Sequence, residues 1–174
     1  MTLFRTRTVE TPTGLMILGA ADDELCLAEW LDSPGHARTL KGLVRRLGVE
    51  PVAETTPVLD RAADALTAYF AGQRQTFDLP LRLVGTPFQC DVWRALLQIP
   101  FGTTCAYGDI ARTVGRPTAF RAVAQAIGRN PVCIIVPCHR VIGRDGSLTG
   151  FGSGLPRKID LLQREGLWPR DPEG

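Results

Sequence analysis

Five consecutive apolar residues, Val132-Cys133-Ile134-Ile135-Val136, run straight into Pro137-Cys138-His139-Arg140 and constrain this chain more than any other segment. A run this rich in β-branched residues predicts a buried strand. At its end sits a cysteine beside one of only two histidines in the chain. Only a thiolate is a good nucleophile, and a free thiol titrates near about 8.5, so a reactive cysteine needs a group that takes its proton. Imidazole can do this near neutral pH. The run thus delivers a candidate nucleophile, with its base, to the end of a buried element.

At 174 residues the chain can form one large domain or two small ones with an adequate core. Its 44% hydrophobic and 22% charged residues are those of a globular protein, without low-complexity tracts or internal repeats. Arg5, Arg7 and Glu10 precede no long apolar stretch, so no secretory leader is expected. Runs such as Leu15-Met16-Ile17-Leu18 are too short to cross a bilayer, and a cytoplasmic location without membrane partners is expected. The five cysteines, Cys26, Cys90, Cys105, Cys133 and Cys138, show no CxxC pair. They predict free thiols, with all but Cys138 serving as core or incidental residues, and no metal site.

The net charge of +2 argues only weakly for nucleic acid, but its distribution says more. Between Ile110 and Arg144 there is no Asp or Glu, while Arg112, Arg116, Arg121, Arg129, Arg140 and Arg144 all fall there. Such a local basic footprint attracts a phosphate backbone.

The first half predicts strands followed by helices. Leu3 to Val9, Leu15 to Ala20 and Leu25 to Leu31 are short apolar segments separated by turn residues. A helix carrying Leu40, Leu43, Val44 and Leu47 stops at Gly48, and a second opens at Thr56-Pro57 and ends at Gly72. Phe77, Leu79, Leu81 and Leu83 alternate with polar residues or proline, as an exposed or edge strand would. No chemistry stands out in this half, which is assigned to scaffold.

A second unit begins at Thr86-Pro87-Phe88-Gln89, which combines an N-cap, a proline at N1 and a capping-box glutamine. Phe88, Val92, Leu96 and Ile99 supply its buried face. Tyr107 to Val114 predicts a short helix closed by Gly115, and Thr118 can cap another that runs to about Arg129. Helix, glycine turn, helix is the helix-turn-helix pattern, with Thr118, Arg121, Gln125 and Arg129 on one side of the second helix. Asp145-Gly146 between extended segments predicts a wing-like hairpin. Gly150, Gly152 and Gly154 form a loop that a ligand can approach closely. Pro156 opens a last helix, ended by Gly166, whose Glu165 sits where the helix dipole disfavours a carboxylate. On these residues alone a non-enzymatic helix-turn-helix regulator and a cysteine–histidine hydrolase are both open.

The second half resembles the O6-alkylguanine-DNA alkyltransferases, also called methylated-DNA–protein-cysteine methyltransferases. The resemblance rests on Thr86-Pro87-Phe88-Gln89, Val92-Trp93, Ile99-Pro100-x-Gly102-x-Thr104, Tyr107-Gly108-x-Ile110-Ala111, Arg121-Ala122-Val123 and Asn130-Pro131. It continues through Pro137-Cys138-His139-Arg140-Val141-Ile142, Gly150-Phe151-x-x-Gly154-Leu155, Lys158 and Leu161-Leu162-x-x-Glu165-Gly166. It implies a winged helix-turn-helix-like, mainly α C-terminal domain over residues 86–174. Residues 1–85 would form an α/β scaffold with a short antiparallel sheet and helices.

The implied reaction is a one-way, self-inactivating transfer of the alkyl group from O6-alkylguanine in double-stranded DNA to Cys138, with O4-alkylthymine as a further candidate substrate. By the same resemblance His139 draws the thiol proton through a water, and Glu165 orients the imidazole. Tyr107 donates to the guanine ring, and Asn130 holds the turn around the active-site strand. Arg121 takes the place of the extruded base, with Thr118, Gln125, Arg129 and Arg140 as further DNA contacts. Val141, Phe151, Gly152 and Lys158 belong to the alkylguanine pocket. No cofactor and no metal are implied, and a monomer is expected. Family members often carry Tyr-Ser where this chain has Phe151-Gly152, so two hydroxyls near the pocket are absent.

Overall fold

The computed structural model describes residues 1–148 and 150–167. Strands β1 (Phe4–Thr11), β2 (Gly14–Ala21) and β3 (Glu24–Trp30) form an antiparallel meander. The short β4 (Val52–Ala53) adds to β1 in parallel, giving the order β3-β2-β1-β4. Alternation along β2 sends Met16 and Leu18 to one face and Ile17 to the other. Helix α1 (His36–Leu47) covers the second face with Leu40, Leu43, Val44 and Leu47. Helix α2 (Pro57–Phe70) covers the first with Leu59, Ala62 and Leu66. Thr56 caps α2 as its side chain accepts from Leu59 N, and Gly48 ends α1 in the left-handed region that favours glycine.

The second half is mainly helical: α3 (Pro87–Leu96), α4 (Tyr107–Thr113), α5 (Phe120–Gly128) and α6 (Leu155–Arg164). Two-residue strands β5 (Cys105–Ala106) and β6 (Val141–Ile142) pair in parallel. The capping box of α3 is complete, with Gln89 N donating to Thr86 Oγ1 and Thr86 N to Gln89 Oε1. Gly115, at φ +74°, turns the chain between α4 and α5 where a side chain would be strained. The chain thus has an α/β N-terminal part and a helical C-terminal part built on a helix-turn-helix. Among the described residues no helix is long and apolar enough to cross a membrane.

Four expectations are corrected. The run 132–136 is not a strand but a buried tight turn: Val136 N donates to Val132 O at 2.9 Å, and Ile134 sits at φ +74°. Burial on every side demands apolar residues in a turn as much as in a strand, so composition could not separate them. The segment 77–83 makes a single bridge, Leu81 with Leu25, and Pro80, lacking an N–H, blocks the ladder on one side of it. Its apolar side chains nevertheless lie partly buried against the core. Thr118 does not cap α5; the cap position is Ala119, without a side-chain bond. The Asp145-Gly146 turn forms, with Gly143 N donating to Ser147 O at 2.8 Å, but β6 finds no antiparallel partner after it among the described residues. Thr149 and residues 168–174, part of the expected hairpin and of the second unit, lie outside the described residues.

One apolar core runs through both halves, from Leu18 and Leu66 to Val123 and Leu161. Backbone bonds join them too: Ala28 N donates to Pro131 O at 2.8 Å and Cys133 N to Ala28 O at 2.7 Å. Strand β3 therefore supports the turn that carries the cysteine motif. Helix α6 is tied back as well, since Arg157 Nε donates to Thr13 O at 2.9 Å and Arg164 Nη1 to Phe70 O at 3.0 Å.

Candidate active site

Asn130 follows α5 and organises the buried turn. Its Nδ2 donates to Val136 O at 2.8 Å, and its Oδ1 accepts from Val132 N at 2.9 Å. The amide thus spans both ends of the turn and sets where the chain emerges. It emerges into a 3-10 turn, Cys138–Arg140, which begins with the cysteine. Cys138 is only 6% exposed, yet it lines a cavity of about 230 Å³ with Tyr107, Asn130, Cys133, Phe151 and Gly152. The nucleophile candidate therefore has an open space beside it.

His139 is fully buried, and its Nε2 lies 2.6 Å from Glu165 Oε2. Burial pushes the Glu165 carboxyl up, but hydrogen bonds and charge from His139 and then Arg140 outweigh it and hold the group at about 2. An ionised carboxylate can only accept, so Nε2 carries the hydrogen and Nδ1 is the basic nitrogen. Nδ1 has no hydrogen-bond partner among the described residues. Burial, reinforced by the Arg140 and Lys158 charges, holds the imidazole below its usual range despite the carboxylate. At neutral pH it is a neutral base.

The Cys138 thiol is lowered from its ordinary value, first by a hydrogen bond from Cys133, then by Asn130 and the Lys158 charge, all against burial. Cys133 is raised by the same bond and keeps its proton. Lys158 is buried and donates from Nζ to Val141 O at 2.7 Å. Neither Lys158 nor Val141 is among the residues that line the cavity, where both were expected.

Arg140 is the main correction to the expected DNA face. It is 5% exposed, with Nε donating to Glu165 Oε1 at 2.7 Å and Nη1 to Ile99 O at 2.6 Å. It braces the carboxylate instead of meeting solvent. Thr118, Arg121 and Gln125 are exposed on or before α5, and Arg121 borders a surface depression shared with Tyr107. Arg129 is half-buried and lines a separate groove with Arg38, Arg45 and Arg46 of α1.

Comparison with known proteins settles the family. A profile described as 6-O-methylguanine DNA methyltransferase, DNA binding domain, matches residues 87–167, and the ribonuclease-like domain of the same protein matches residues 4–83. The chain belongs to the 6-O-methylguanine DNA methyltransferase family. A methylated-DNA–protein-cysteine methyltransferase of Mycolicibacterium paratuberculosis is 45% identical over 159 residues, covering 91% of this chain and 90% of the relative. One from Methanosarcina barkeri is 43% identical over 157 residues, 90% of this chain and 94% of the relative. The O6-methylguanine methyltransferase structure from Mycobacterium tuberculosis superposes with TM-score 0.79 at 42% identity, covering 97% of each chain. The M. tuberculosis protein in complex with DNA gives TM-score 0.79 at 42% identity over 96% of each chain.

Within this family member the N-terminal half is more than the scaffold expected of it. Tyr69 on α2 donates its hydroxyl to Glu165 Oε2 at 2.7 Å. Burial and the neighbouring carboxylate push that phenol up, so it stays a donor. The signal was available: a tyrosine on the apolar face of a predicted helix needs a partner for its hydroxyl. Glu29 and Ser33, at and after the end of β3, line the cavity. Glu29 is buried and pairs with His36 Nδ1 at 2.7 Å, and Ser33 Oγ lies 3.2 Å from Ser153 Oγ. Cys133 sits against Cys138 rather than in an inert core. Nothing local in the sequence marks these, because they reach the site only through the packing of β3 against the turn.

Proposed function

We propose that Cys138 is the alkyl acceptor of a direct DNA repair reaction on O6-alkylguanine in double-stranded DNA. The observation that carries this is a lowered, cavity-lining thiol followed in sequence by a neutral imidazole bound to an ionised carboxylate. Thiolate sulfur attacks the carbon bonded to O6. The carbon–oxygen bond breaks, its electron pair goes to the purine, and a thioether forms on the protein. His139 Nδ1 receives the thiol proton through a water, and the resulting imidazolium is stabilised by Glu165. The proton then returns to the departing guanine. Tyr107, at the first position of α4 on the cavity wall, donates to the ring as charge builds there.

A base inside a duplex cannot reach this cavity, so it must be extruded, at a cost of a few kcal/mol. Exposed Arg121 on α5 fills the gap it leaves, with Thr118 and Gln125 beside it on the minor-groove side. Phe151 and Gly152 bring no hydroxyl of their own to the pocket they wall, so a backbone N–H binds O6. A thioether does not hydrolyse, so each molecule acts once. The two functional units meet at residues 85 and 86, and reduced thiols acting on DNA fit a cytoplasmic site of action.

The test is the intact mass of the protein after incubation with a duplex containing O6-methylguanine. One methyl group is expected, located on Cys138 by peptide mapping and absent from Cys138→Ser. Unmodified protein beside unrepaired DNA rejects the proposal. The regulator alternative is not favoured, since a pure DNA reader has no use for the buried His139–Glu165 pair.

A further inference from the structure

Phe120 is an exposed aromatic at a place where folding does not require one. It is the first residue of α5, 51% exposed, and immediately precedes Arg121. Its ring lies across Gly108, where an added Cβ would stand 3.1 Å from Phe120 Cε1 and 3.0 Å from Arg144 Nη2. The ring is therefore seated on bare backbone, with one arginine following it in sequence and another beside it in space. It borders an apolar surface depression together with Tyr107, Arg121, Ala124 and Gly150. Three of these residues, Tyr107, Ala124 and Gly150, also line the cavity that holds Cys138. Phe120 thus stands on the lip over which an extruded base must pass.

An apolar centre with a cationic rim matches the minor groove, where proteins insert phenylalanine or leucine between base steps to unstack them. We propose that Phe120 is a second wedge, entering the minor groove beside Arg121 and stacking on the base step next to the extruded nucleotide. This rests on the repair function proposed above and adds a residue to its DNA contacts. Arg121 supplies a long cation that fills the vacated space. Phe120 supplies the flat apolar surface that keeps the neighbouring base from closing back over it. The lip position explains why the aromatic is tolerated in water: it is covered only when DNA is bound.

The test compares methyl transfer to Cys138 from a duplex containing O6-methylguanine and from free O6-methylguanine base, for wild type, Phe120→Ala and Phe120→Trp. Phe120→Ala is expected to slow the duplex reaction by about 5- to 150-fold, the range of one base–aromatic stack. It leaves the free-base reaction unchanged, and Phe120→Trp restores the duplex rate. Thermal melting checks that both variants fold. A wild-type duplex rate for Phe120→Ala overturns the wedge, and so does an equal loss on both substrates, which would make Phe120 part of the pocket. A dimer in gel filtration without DNA that Phe120→Ala dissolves also overturns it, assigning the patch to self-association. Failure of the wild type to take a methyl from either substrate sinks the repair function itself.

Discussion

The Tyr69 hydroxyl donates to Glu165 Oε2 at 2.7 Å, joining helix α2 of the first half to the carboxylate that orients His139. Glu165 also accepts from Arg140, so three side chains converge on one buried carboxylate. Its location at the C-cap of α6 opposes the helix dipole, and those donors offset the penalty.

Tyr69→Phe therefore removes a hydrogen bond to a charged, buried acceptor. A loss of about 1.5–3 kcal/mol of stability is expected, read from urea denaturation. Methyl transfer should also slow, because the Glu165 carboxylate is then held by fewer partners. A fully active and undiminished variant would show that Arg140 and His139 suffice to hold it.

Acid should destabilise the protein in two steps. The buried His139 ring is held below its ordinary 6.5, so the unfolded chain protonates first as pH falls. Stability contributed by the neutral ring is present above 6.5 and is lost on acidification below it. Glu165 is held at about 2 against an ordinary 4.5, so its contribution is complete above 4.5 and disappears as pH falls toward 2. Urea midpoints measured from pH 8 to pH 2 should fall through both windows, and Glu165→Gln should flatten the lower one.

Much of this site was legible because its residues are close in sequence and chemically unusual. Cys138, His139 and Asn130 lie within one stretch, and Glu165 broke a local rule at a helix end. The meander, α1, α2 and the capped α3 followed from turn residues and periodicity. Other features depended on tertiary packing. The turn at 132–136 and a buried strand have the same apolar composition, and Ile134 adopts its left-handed backbone because Asn130 spans the turn. Arg140 looked like one more member of a basic footprint, and only the fold pairs it with a carboxylate 25 residues away. Tyr69 lies 96 residues from Glu165 and carries no local sign of its partner.

Arg140 and Arg121 should separate cleanly by experiment. Arg140→Leu leaves Glu165 short of a buried cation and is expected to cost about 3–5 kcal/mol in stability. Arg121→Ala removes an exposed side chain, so its melting point should stay near that of the wild type. Repair of duplex DNA by Arg121→Ala should fall sharply, because no side chain then fills the stack vacated by the extruded base. A stable Arg140→Leu whose DNA affinity depends less steeply on salt would restore Arg140 to the DNA surface.

Cys133 offers the most specific test of how the nucleophile is ionised. Its thiol keeps its proton, with Asn130 O 3.8 Å away, and its interaction with Cys138 is the foremost influence lowering the Cys138 thiol. A hydrogen bond to the thiolate favours the charged form, whereas burial without it favours the neutral thiol. Cys133→Ala removes the donor, so the pH at which methyl transfer reaches half its maximum should move upward, with the plateau rate at high pH little changed. Cys133→Ser keeps a donor on nearly the same stem and should hold the profile near that of the wild type. A general packing defect predicts something else, a lower plateau in Cys133→Ala with no displacement along the pH axis. Single-turnover methyl transfer measured between pH 5.5 and pH 9.5 distinguishes the two, and an unmoved profile in Cys133→Ala would leave ionisation to His139, Asn130 and the charge of Lys158.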